Sequence, residues 1–370
     1  MHNPFRSDLF CERPHEFGYL CSAAINGLNV ILSGSRGQGR TCLITKVLEE
    51  VEDQVTGIYI PCRALSLLNE TIESALSISM VNGILDAYPE SEEILREKLL
   101  RFDPIILLSN GRQKFEFGSP SKMKLSEIFE IWNWTQSNHD MTGLIVFDDF
   151  HLIAEEKIEN QLRALIQQNS DCSHMFIINR GKGFERWFMN SERAFFRSGS
   201  QLTLESIPEK NWSEFIQEKF DSIGIKAATG TIAEILRLSE LHTATVMQVC
   251  SVMAELGENR PIFPAEVLRA IRTVARRHEA YIWSIIEGLS KNQRSLLVAL
   301  AHEEEPVKPY TKSFFSKHDL SSTSLQKSVP ALRERELVIE YEAGTIGILD
   351  PVFRHSILRE TGNRRTFFER

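Results

Sequence analysis

Two textures of apolar and polar positions divide the chain. Up to about residue 205, short continuous apolar runs alternate with stretches of helical spacing. The runs are Leu28–Ser33, Gly57–Ile60, Leu144–Phe147, Met175–Ile178 and Gln201–Leu204. Continuous runs of this length predict strands buried on both faces, as in a parallel sheet. Between them, Leu67 to Arg101 reads as two helices broken at Tyr88-Pro89. Leu125 to Asn138 places Leu125, Ile128, Phe129, Ile131 and Trp132 at helical spacing. Pro104–Leu108 and Lys114–Phe117 flank Asn110-Gly111, a hairpin signal. Residues 1–27 are polar with scattered aromatics, Phe5, Phe10, Phe17 and Tyr19.

Beyond Leu204 the helical texture takes over. Ser206, with Glu209 three residues on, predicts a helix start, and helical patterns run to about Ile286. Three short helices follow, opening at Ser290, at Thr311 and at Ser322. Val338–Tyr341 and Thr345–Ile348 then flank a Glu-Ala-Gly turn. Three short helices and a hairpin are the order of a winged helix-turn-helix. The expected fold is therefore an α/β domain with a parallel sheet over residues 1–205. A helical region follows over 206–284, and a winged helix over 285–370.

The phosphate-binding signal is the loop Gly34, Ser35, Arg36, Gly37, Gln38, Gly39, Arg40, Thr41, between an apolar run and a helical pattern beginning at Cys42. Strand, glycine-rich turn and helix form the P-loop context. Successive backbone N–H groups make an anion nest there, at a helix N-terminus. The pattern departs from the usual lysine at Arg40. Arginine keeps the charge but is larger, planar and forked, so nucleotide binding can survive while hydrolysis falls. Thr41 would offer its hydroxyl to Mg²⁺, and Asp148, at the end of an apolar strand, would hold the same ion. Asp149 stands where a water-polarising acid is expected, and is otherwise a solvated or capping acid. Asn179 either orients that water or is a turn residue. Arg193 and Arg197 are candidate fingers across a subunit interface, or ordinary surface arginines. His242 lies near a helix start in the second, helical region; it either approaches the nucleotide or is, by default, a helix-surface or packed histidine.

These residues resemble the archaeal-type P-loop ATPases of the AAA+ class, related to origin-recognition initiators and STAND NTPases. The resemblance rests on Asn3-Pro4-Phe5, on Cys11 to Glu16, on Gly34–Thr41, on Val146 to His151 and on Asp350 to Phe353. It implies an ATPase core, a helical lid and a winged helix, with Pro4, Phe5 and Arg13 near the adenine. Arg40, Asp149, His151 and the Leu241-His242-Thr243 segment depart from the family pattern. They weaken the case for turnover more than the case for the fold.

Composition changes little: 42% hydrophobic and 25% charged residues are ordinary for a globular chain of 370 residues. The six cysteines, at 11, 21, 42, 62, 172 and 250, have no C-x-x-C spacing and read as cytoplasmic thiols. No membrane span or secretory signal is expected. The formal charge of −8 does not announce a nucleic-acid binder, and residues 285–370 carry 13 Lys+Arg against 12 Asp+Glu. Double-stranded DNA and a protein partner or self-association remain alternatives for the winged helix. The expected activity is an ATP- or ADP-binding, Mg²⁺-dependent weak ATPase whose nucleotide state repositions the winged helix. The alternatives are a non-hydrolysing switch or scaffold, and a DNA-binding regulator with a vestigial P-loop.

Overall fold

A computed structural model describes residues 13–67, 71–88, 97–99, 104–109, 112–117, 124–139, 141–153, 155–169, 172–180, 184–258 and 260–361. Pro4, Phe5, the Asn110-Gly111 turn and most of the second helix expected before Arg101 lie outside them. The chain divides into two compact units, one of residues 13–35 and 40–205, the other of 36–39 and 206–361.

The first unit runs α1 (Pro14–Ile25), β1 (Val30–Gly34), α2 (Arg40–Glu50), β2 (Val55–Pro61), α3 (Cys62–Leu65) and α4 (Ile72–Ala87). It continues through β3 (Pro104–Ser109), β4 (Arg112–Phe117), α5 (Leu125–His139), β5 (Thr142–Asp148), α6 (Glu156–Gln167), β6 (Cys172–Asn179) and β7 (Ser200–Leu204). Five strands form a sheet in the order β2-β5-β6-β1-β7, all parallel. Strands β1, β6 and most of β5 are buried as their apolar continuity predicts, whereas the edge strand β2 is partly buried and the edge strand β7 is mostly exposed, a correction to the burial expected of Gln201–Leu204. The sheet therefore needs cover on both faces. Strands β3 and β4 pair antiparallel with each other. An aromatic cluster of Phe147, Phe150, Phe176, Phe188 and Phe195 packs behind the end of β5.

Helix α1 lies in the stretch read as polar with scattered aromatics. It buries only Leu20, Ala23 and Ala24, a stripe too small to stand out. Its sequence signs are at its ends, Pro14 in the first turn and Gly27 at φ 68° after the C-cap.

The second unit carries α7 (Glu209–Ser222), α8 (Thr231–Leu238), α9 (Thr243–Leu256), α10 (Val267–Arg277), α11 (Glu279–Glu287), α12 (Lys291–Ala301), α13 (Lys312–His318) and α14 (Ser322–Glu334). Strands β8 (Val338–Glu340) and β9 (Ile346–Ile348) then pair antiparallel, and α15 (Pro351–Thr361) closes the unit. Three helices and a two-stranded wing give the winged helix. Ser290 caps α12 in a capping box with Gln293, and Thr311 and Ser321 cap α13 and α14. The start predicted at Ser206 is corrected: Pro208 is the N-cap of α7, without a side-chain cap. Its extended ψ of 144° ends the preceding strand-like path, and the helix begins behind it. One apolar core runs without a break from Ile207 to Ile357.

Candidate functional site

Parallel strands deliver their C-terminal ends to one edge, where ligands of open α/β sheets bind. Register places Gly34 beside Asn179 and Leu204, Ile177 beside Asp148, and Asp148 beside Pro61. The loop, the acidic strand end and Asn179 are thus neighbours because of strand order.

The loop path requires glycine at two positions. Gly37 and Gly39 sit at φ 80° and 84°, a left-handed conformation that side-chain-bearing residues adopt only with strain. At Gly37 a Cβ would also fall 2.2 Å from His242 Nε2. Residues 36–39 belong with the second unit through bonds of their own. The Ala244 N–H donates to Gly37 O at 2.9 Å, His242 Nε2 stands 3.0 Å from Arg36 O, and Thr243 Oγ1 donates to Gln38 Oε1 at 3.1 Å. Arg36 also reaches Tyr281 Oη at 3.1 Å.

Thr41 and Asp148 meet: Thr41 Oγ1 donates to Asp148 Oδ2 at 2.9 Å. Tyr59 Oη donates to the same oxygen at 2.5 Å, and the Asp149 N–H donates to Asp148 Oδ1 at 3.0 Å. Burial and then the Asp148 carboxylate push the Tyr59 phenol well up, so it stays a donor. Hard oxygens from one hydroxyl and one carboxylate suit Mg²⁺, which keeps waters and takes phosphate oxygens rather than a protein cage.

Arg40 starts α2 and is only 9% exposed. Its guanidinium donates to Ile178 O and to Asn179 Oδ1, and lies 3.8 Å from Asp149 Oδ1. Its stem crosses Gly34, where a Cβ would stand 3.3 Å from Arg40 Cδ. The longer side chain thus carries its charge to the end of β6. Asp149, at φ 56°, is held from the other side by Arg63 Nε at 2.8 Å. One carboxylate is shared by two guanidinium groups. The Asn179 amide completes the chain of bonds: its Oδ1 accepts from Arg40, so Nδ2 donates to His151 Nε2 at 3.2 Å. Burial holds the His151 imidazole down to about 4, neutral and able to accept.

The remaining expected residues are dispersed. Arg193 pairs with buried Glu159 and lies 4.0 Å over the Trp187 ring. Both contacts lie within its own unit. Arg197 is exposed, with its guanidinium 5.1 Å from the Phe196 ring centre. Arg13 is buried beside Glu16 at 3.2 Å. Ser35 and Cys42 are half-buried. Sequence reading missed Tyr59 and Arg63. The available signal was positional: Tyr59 lies near the end of β2, the strand next to the acidic one, and Arg63 in α3 directly after it.

Known structures share this fold over nearly the whole chain. A Walker-type ATPase of Pyrococcus abyssi aligns with a TM-score of 0.70 at 14% identity, over 97% of this chain and 99% of that one. The ORC2 protein of Aeropyrum pernix, in ADPNP-ADP complexes, aligns at 0.58 and 12% identity, over 98% of each. The ORC1 protein of Aeropyrum pernix, in complex with DNA, aligns at 0.52 and 14% identity, over 97% of this chain and 95% of that one. The family described as "Probable winged helix domain" matches residues 280–359. No curated protein matches the chain. The fold is that of a P-loop NTPase, with a C-terminal winged helix.

Proposed function

We propose that this protein binds ATP and ADP with Mg²⁺ at Gly34–Thr41 and turns ATP over slowly, as a nucleotide switch. The observation that carries this reading is the Thr41–Asp148 hydrogen bond of 2.9 Å at the end of a parallel sheet, with left-handed Gly37 and Gly39 just before Thr41 in the sequence. Loop N–H groups would hold the phosphates, and Thr41 and Asp148 would hold the metal. Bound Mg²⁺ would neutralise charge developing on the phosphoryl oxygens. Asn179 would hold the attacking water, and Asp149 would take its proton once freed from its two arginines.

A non-hydrolysing switch is the second reading, and a specific observation favours it. Asp149 is engaged by both Arg40 and Arg63, and Arg40 is spent on Asn179 and Ile178 O. The P-loop system thus retains its binding parts while its water-activating parts are tied to one another. The same contacts support slow rather than fast turnover. The DNA-regulator reading has less support. Arg333 on the candidate recognition helix pairs with Glu340 in the wing, and Arg335 donates to Gly288 O at 2.9 Å. A protein contact or self-association suits this winged helix better. A reducing, cytoplasmic setting belongs to this reading, in keeping with six cysteines that have no C-x-x-C spacing. No described helix is long and apolar enough to cross a membrane.

Calorimetric titration of ATP and ADP with Mg²⁺ tests the reading. Micromolar binding is expected, lost in Asp148→Ala combined with Arg40→Ala. Absence of binding by the unsubstituted protein would overturn it. Radiolabelled ATP turnover no faster in the unsubstituted protein than in that double variant would leave the non-hydrolysing switch.

A further inference from the structure

We propose that Tyr59 is a positioning residue for metal binding by Asp148, an inference that rests on the nucleotide reading above. Tyr59 lies on β2 opposite Val146 of β5. Val146 and Asp148 are two residues apart on one strand and therefore share a sheet face. The phenol spans the diagonal between neighbouring strands, and its hydroxyl meets Asp148 Oδ2 at 2.5 Å. A bond of that length from a hydroxyl to a carboxylate oxygen is charge-assisted and strong.

Asp148 is consequently fixed from three elements. Tyr59 on β2 and Thr41 on α2 both donate to Oδ2, while the N–H of Asp149 donates to Oδ1. This arrangement determines what Thr41 can do. A threonine hydroxyl that gives its proton to Asp148 presents its lone pairs outward, toward a cation. Thr41 therefore depends on Asp148 staying in one rotamer. Without the phenol, the carboxylate keeps one backbone donor and a hydroxyl that is itself free to rotate. Loss of such outer hydrogen bonds typically weakens metal binding by about 10–100-fold.

The distinguishing quantity is the Mg²⁺ requirement of nucleotide binding. ADP affinity is measured by calorimetry on the full chain across a Mg²⁺ series and in EDTA, for the unsubstituted protein and Tyr59→Phe. The Mg²⁺ concentration giving half of the full gain in ADP affinity is expected to rise about tenfold in Tyr59→Phe, the lower end of that range. ADP affinity in EDTA is expected to stay unchanged, because the loop amides are untouched. In an Asp148→Asn background, Tyr59→Phe is expected to add nothing, since the two residues act as one unit. An unchanged Mg²⁺ requirement overturns the inference and leaves the nucleotide reading standing. Equal loss with and without Mg²⁺, or failure of Tyr59→Phe to fold, assigns the hydroxyl to the structure of the strand end and also overturns it. No ADP binding by the unsubstituted protein overturns both.

Discussion

Arg40 shows how one added group redirects a site. A lysine at this place is a compact charge on a flexible stem, suited to reach β- and γ-phosphates. The guanidinium instead forks onto Ile178 O and Asn179 Oδ1 and sits near Asp149. Arg40→Lys would shed the forked contacts, free Asn179 to hold water and leave Asp149 to Arg63. The expected outcome is a rise in ATP turnover of about tenfold, equivalent to ~1.4 kcal/mol of barrier. ADP affinity should change by less. Steady-state phosphate release checks this, and turnover equal to or below the unsubstituted protein would show that Arg40 is not what restrains hydrolysis.

At the scale of elements, the acidic turn is anchored from behind. Phe150 follows Asp149 directly and is fully buried, with ring centres 4.9 Å from Phe176 and 5.3 Å from Phe195. Truncation leaves a cavity in a well-packed aromatic cluster, and Phe150→Ala is expected to cost about 3–5 kcal/mol in urea unfolding. A cost under ~1 kcal/mol would mean that the cluster collapses around the gap.

Strand β6 supplies a pH dependence. His174 is fully buried beside Asn29, and burial lowers its imidazole to about 3. An unfolded histidine titrates near 6.5, so below that pH the unfolded chain binds the extra proton. The neutral ring's contribution is therefore complete above about pH 6.5 and is lost as pH falls toward 3. Urea midpoints measured between pH 7 and 4 should fall with pH, and the fall should be shallower in His174→Phe. Parallel curves for the two proteins would assign the acid sensitivity elsewhere.

These strands were legible because burial on both faces leaves continuous apolar runs such as Val30–Leu32 and Leu144–Phe147. The wing was legible from its turn, and α12 from its capping residues. Helix α1 was not, because alanines carry most of its buried stripe. The loop, Thr41, Asp148 and Asn179 declare themselves by motif and strand ends. Tyr59 and Arg63 do not, because their partners lie 89 and 86 residues away and meet them only through strand order. A single sequence records spacing along the chain, whereas this network is set by which strands become neighbours.

On the whole-molecule scale, the continuous core from Ile207 to Ile357 joins helices α7 to α11 and the winged helix as one packed body. Arg354 of α15 adds bonds to Glu240, Ala301 O and Glu303 O within it. The winged helix therefore does not hang on a free linker from the helices that precede it. That bears on the partner. A duplex reader gains affinity by releasing counterions from phosphates, and each free cation on its reading face contributes. Here Arg333 and Arg335 of the reading segment are committed to Glu340 and Gly288 O, and the chain as a whole carries a net charge of −8. Affinity for duplex DNA is thus expected to be no tighter than the non-specific range of about 10⁻⁴–10⁻⁶ M at physiological salt. Fluorescence anisotropy with a random duplex over a salt series checks this, with and without ATP. Sub-micromolar binding at physiological salt, weakened by Lys327→Ala on the exposed side of α14, would restore DNA as the target. Weak binding indifferent to that substitution would leave a protein surface as the winged helix's partner.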